Sequence, residues 1–176
     1  LEAARASGPL IKCLVVRCAS SKNVFGHVVP HKGADEEDYV ANLAVEIIEW
    51  LGHTDLILKS DNEPAILALV TRSLELIRVR VGQVKKVSSE TSAGYDSQSN
   101  GGVEAGVMLI RGIFRTLELC LEGHLQKYIP VGHSIVPWLL EHPAMLLKVK
   151  GPWSRRPHSV GQSEGQALRH AEHSIW

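Results

Sequence analysis

Apolar and polar positions alternate along this chain in blocks that switch between a two-residue and a helical period. Two β-branched runs, Ile11 to Arg17 and Asn23 to Val29, flank the small polar stretch Cys18-Ala19-Ser20-Ser21-Lys22, a pattern that predicts an antiparallel hairpin closed by Pro30. After Asp35-Glu36-Glu37-Asp38, the apolar residues Val40, Leu43, Ala44, Ile47, Ile48 and Leu51 recur with the spacing of one helical face. Asp35 and Asp38 are expected in the first turn as caps that suit the helix dipole, with Gly52 as the stop. A strand from Leu56 to Ser60 then delivers Asp61.

Pro64 suits the first turn of a second helix, whose apolar face is Ile66, Leu69, Val70, Leu74 and Ile77. A short strand is expected from Val84 to Val87, and residues 88 to 101 read as a Ser-, Gly- and Asn-rich loop. From Gly102 a third helix carries Val103, Val107, Ile110, Phe114, Leu117 and Leu121. The last helical segment, about Ser134 to Lys148, contains two prolines. Pro137 fits a first turn, whereas Pro143 should kink or split the helix at a cost of about 3 kcal/mol. Residues 1 to 9 read as a flexible lead-in and residues 150 to 176 as a disordered tail, which leaves one domain between residues 10 and 149.

Composition narrows the function classes. The 176 residues are 44% hydrophobic, enough for a real core, and carry 19 basic and 19 acidic side chains. With no net charge, any nucleic-acid binding must rest on a local patch. Three scattered cysteines, Cys13, Cys18 and Cys120, argue against a disulfide framework or a zinc site. No apolar run approaches the roughly 20 residues that cross a bilayer, so a soluble protein without a membrane partner is expected. The nine histidines are dispersed, and His170-x-x-His173 falls in the tail.

Candidate chemistry centres on Asp61, at a strand end, and Glu104, on the third helix. Two such carboxylates can share hard divalent cations if the fold brings them together. The alternative is local: Asp61 could cap the helix that begins near Pro64, and Glu104 could be a first-turn residue that complements a helix dipole.

The stretch Leu58-Lys59-Ser60-Asp61-Asn62-Glu63-Pro64, together with Ser97-Gln98-Ser99-Asn100-Gly101-Gly102-Val103-Glu104, resembles the second and third acidic motifs of retrotransposon integrase catalytic cores. The resemblance runs from about Leu10 to about Val149. It implies an α/β, ribonuclease-H-like mixed sheet flanked by helices, with Asp61 and Glu104 as catalytic residues and ligands of Mg²⁺ or Mn²⁺. The implied activity is metal-dependent DNA integration, meaning 3′-end processing and strand transfer, with DNA as partner, a homo-oligomer as working form and the nucleus as location. Integrases of this kind use a third carboxylate, an Asp on a central first strand that precedes the hairpin. Leu1 to Leu10 contain no Asp, so this strand is expected to be absent and the fragment to be inactive. Cys18 falls on the hairpin, away from the metals.

The resemblance also assigns Gln98 and Asn100 to a lid loop reaching DNA. Arg111 and Arg115, about two and three helical turns beyond Glu104, lie on its side of the helix and could hold phosphates. Equally, both could pair with Glu118 and Glu122. The family usually has a basic residue directly after this Glu, where Ala105 stands here. Lys85 and Lys86 read as an edge-strand device against aggregation, and Trp50 and Trp138 as core residues. Two other functions remain open: a non-catalytic nucleic-acid-binding or assembly module, and a decaying remnant with no function.

Overall fold

A computed structural model of the chain describes residues 10–34, 37–91, 97–150 and 171–175. The hairpin forms as its two β-branched runs predict. Strand β1 (Lys12–Cys18) pairs antiparallel with β2 (Val24–Val29), from Lys12 opposite Val29 to Arg17 opposite Val24. Its turn is closed at both ends: the Lys22 N–H donates to the Cys18 carbonyl and the Cys18 N–H to the Asn23 carbonyl, each at 2.9 Å.

Alternation along these strands builds a core on each face of the sheet. Leu14, Val16, Phe25 and Val29 join the larger core, with Leu56 and Leu58 of β3 (Asp55–Ser60) and the apolar faces of α1 (Tyr39–Leu51) and α2 (Pro64–Arg80). Val15 and Val24 face the other way and pack with Ile110 of α3 (Ser97–Leu125). Helix α4 (Ile135–Lys150) packs on β2 and α3. Gly26 of β2 permits this second layer to come close, because a Cβ there would lie 2.8 Å from Ile110 Cδ1.

The start of α1 departs from the capping expectation. Asp38 holds the N-cap position but in a left-handed conformation, φ 56°, without a side-chain cap bond, and the first turn contains no acidic residue. Its carboxylate instead grips Arg72 of α2: Nε donates to Oδ1 at 2.7 Å and Nη2 to Oδ2 at 2.5 Å, while Nη1 reaches Glu75 Oε2 at 2.7 Å. A two-pronged guanidinium bond outcompetes a single backbone N–H for the carboxylate. Asp35 lies outside the described residues. Gly52 ends α1 as expected, with φ 68° and its N–H on the Ile48 carbonyl.

This pair gives the fold an acid sensitivity. The Arg72 hydrogen bond holds the Asp38 carboxyl below its usual range. A depressed folded pKa contributes stability that is fully present above the unfolded value of about 3.9 and is lost as pH falls below it. Arg72→Met should therefore lower the melting temperature at pH 7 and flatten its dependence on pH between about 4 and 2, the range just below the unfolded value. Equal slopes for the variant and the parent chain would contradict the linkage.

The β4 strand (Lys86–Thr91) lies parallel to β3 and begins and ends later than the sequence pattern indicates, because pairing with β3 recruits the polar residues Ser88 to Thr91. It forms one edge of the sheet, with Lys86 at its start. Helix α3 begins at Ser97 rather than Gly102, taking in the end of the expected loop. Pro137 sits in the first turn of α4. Pro143 lies inside that helix without splitting it, its side chain fully buried in the layer over β2 and α3. Trp50 and Trp138 are both exposed rather than core. Trp50 sets its ring edge-on to Phe25, and Trp138 stacks on His142.

The largest departure concerns the tail and the missing strand. Residues Ala171–Ile175 form β5, which lies between β1 and β3 and gives the order β2-β1-β5-β3-β4. It runs antiparallel to β1, with Cys18 opposite His173, and parallel to β3, with Leu58 opposite His173. So the centre of the sheet is filled, and by a segment expected to be disordered. The reason is tertiary: Ala171–Ile175 shows no alternation of its own, but two facing edges offer N–H and C=O groups that a strand between them satisfies.

The architecture is thus mixed α/β. Among the described residues no helix is long and apolar enough to cross a membrane.

Candidate metal and nucleic-acid site

Strand β3 positions Asp61. Leu56, Leu58 and Ser60 are buried in the larger core, so the alternation turns Ile57, Lys59 and then Asp61 towards the face covered by α3 and α4. Asp61 does not cap the next helix. Glu63 holds that N-cap position, with no side-chain cap bond, and its carboxylate pairs with Lys32 at 2.5 Å.

Glu104 is exposed in the third turn of α3, beyond the reach of a first-turn dipole role. On the sheet, α3 buries Val103 fully and passes over the side chain of Arg17 at Gly102 and Gly106. A Cβ at Gly106 would lie 3.5 Å from Arg17 Cδ and from Val24 Cγ1.

Asp61 therefore does not hold the N-cap position and Glu104 does not hold a first-turn position. Helix α3 packs over β1 and β5, whereas Asp61 follows β3. Arg17, beneath the Glu104 turn, is in register with residue 174, and residue 174 with Lys59. Two strand spacings, roughly 10 Å in total, thus separate β1 from β3. Among the described residues no group of three His, Cys, Asp or Glu side chains could hold a metal ion.

Arg111 and Arg115 are exposed on α3, on the same side of the helix as Glu104. The backbone of Gln98 and Asn100 belongs to the first turns of α3 rather than to a loop, and their side chains lie outside the described residues.

Cys18 is remote from Asp61, as its place on the hairpin predicts. Its Sγ sits 3.4 Å from His53 Nε2 and 3.2 Å from Ser20 Oγ, and His53 precedes β3 whereas Asp61 follows it. Nothing in the sequence spacing links Cys18 to His53. Burial, reinforced by the Glu141 carboxylate and opposed by a hydrogen bond with the His27 backbone, pushes the Cys13 thiol up to about 11. It is therefore a neutral thiol at physiological pH and unsuited to nucleophilic chemistry.

The side chain that sequence reasoning missed is Arg17. It ends the first β-branched run, and α3 passes over it at Gly102 and Gly106. No protein-family model matches the chain, and no curated protein matches its sequence.

Proposed function

We propose that this chain is an integrase-core-derived scaffold that binds DNA without catalysing strand transfer. What supports the ribonuclease-H-like reading is the strand order, with a central strand antiparallel to one neighbour and parallel to the other, crossed by the helix that carries Glu104. The central strand is where the resemblance puts the first Asp. Here that strand is Ala-Glu-His-Ser-Ile, taken from the far end of the chain.

Two-ion phosphoryl chemistry needs carboxylates that bridge cations about 3.5–4 Å apart. Asp61 follows β3 and Glu104 sits on the turn of α3 above Arg17 of β1, and among the described residues no group of three His, Cys, Asp or Glu side chains could hold a metal ion, so this reading gives the pair no metal. The observation that carries the binding function is the exposed side of α3 on which Arg111 and Arg115 follow Glu104. Arginines in such a row take phosphate oxygens in pairs, fixing a duplex without reading its sequence.

Fluorescence anisotropy with a 20-base-pair duplex across a salt series tests this reading. Arg111→Glu should weaken binding about tenfold or more and lower the salt slope by about 1, while an Asp61→Asn, Glu104→Gln double variant should bind as the parent chain does. Mn²⁺ titrations of parent and double variant should give the same heats. Salt-insensitive binding, or joining of donor to target DNA by the purified chain, would refute it.

A further inference from the structure

We infer that Arg17 and Lys22 form a binding site for a single phosphoryl group between the β1–β2 turn and α3. A cavity of about 70 Å³ opens there, lined by Arg17, Ala19, Lys22, Gly102 and Val103. Among the described residues no carboxylate lines it. In a chain with as many acidic as basic residues, two cations facing one small cavity without a counter-charge call for an anion.

The Arg17 guanidinium is held by one edge only. Its Nη1 donates to the Gly102 carbonyl, while Nε is buried without a hydrogen-bond partner. An unpaired buried N–H is costly, and with Nη1 on the Gly102 carbonyl the guanidinium keeps its remaining N–H groups to donate to a phosphate oxygen. The Arg17 side chain runs along α3 beside Gly102 and Gly106, within ordinary contact distance of both.

Lys22 is fixed as well. Its φ of 61° and its N–H on the Cys18 carbonyl hold its backbone in the turn that lines the same cavity. The cavity is small and opens to solvent, so a tetrahedral oxyanion can enter it.

The phosphoryl group could be free phosphate or a phosphodiester of DNA. The site itself stands on its own geometry, whereas its assignment to DNA rests on the binding function proposed above. Inorganic phosphate titrated into the full chain at constant ionic strength should give saturable shifts of the Gly102 and Val103 amides and of the Arg17 side-chain N–H in nuclear magnetic resonance spectra, and chloride should not. Arg17→Met should abolish them, and Lys22→Met, an exposed substitution that leaves the core untouched, should raise the apparent Kd for phosphate at least fivefold.

Absence of saturable shifts in the parent chain, or their persistence in a folded Arg17→Met chain, would overturn the site. In the duplex assay Lys22→Met should weaken DNA binding about threefold. Lost phosphate binding with unchanged DNA affinity would keep the site and overturn its DNA source. Failure of Arg111→Glu alone would count against the α3 row and leave this cavity standing.

Discussion

Leu58→Ala should destabilise the protein by about 2–5 kcal/mol, a large part of the stability of a domain this size. Leu58 is fully buried at the middle of β3, and the core around it is built from both helices of that face. Removing three heavy atoms there loses their transfer free energy and leaves a cavity that strands fixed on both sides cannot collapse around. Leu119→Ala, at a residue 60% exposed on α3, should stay within about 0.5 kcal/mol of the parent chain. Urea unfolding of the three chains measures both, and equal midpoints for the parent and Leu58→Ala would contradict the packing described.

The second large effect should come from Ser174→Pro. Residue 174 is in register with Arg17 on one side and Lys59 on the other, so a proline there removes a donor from the centre of the sheet and forces its ring between two strands. The cost should be about 3 kcal/mol or more, by analogy with proline inside a helix. More informative is where the loss falls. Without β5, the β1–β2 hairpin and the β3–β4 pair no longer share hydrogen bonds, and amide exchange should accelerate at the β1 residues Val16 to Cys18 and along β3. Exchange within the β1–β2 ladder should change less. Unchanged protection of β3 in the variant would show that β5 does not bridge the two halves.

Much of this architecture is legible in the chain before any coordinates. The hairpin, α1, β3 and α2 follow from alternation, helical spacing, Pro64 and Gly52, because local periodicity and backbone preference agree there with burial. The boundaries moved where pairing or packing overrode local preference: Ser88 to Thr91 became strand against β3, Ser97 to Gly101 became helix, and Pro143 stayed inside one. Asp38 gave up its cap for Arg72, which lies on another helix and is invisible to local reasoning.

By itself, then, the sequence determined the periodic elements, the neutral charge balance and the placement of Asp61 and Glu104 at a strand end and on a helix, since these depend on neighbours in the chain. Only the tertiary structure decided that Ala171–Ile175 fills the middle of the sheet, that α3 lies over β1 and β5 rather than β3, and that Arg17 faces a small cavity with Lys22. Each of those outcomes joins residues far apart in sequence, where backbone hydrogen bonds left open on strand edges and apolar faces left uncovered on helices are satisfied by whichever distant segment fits them.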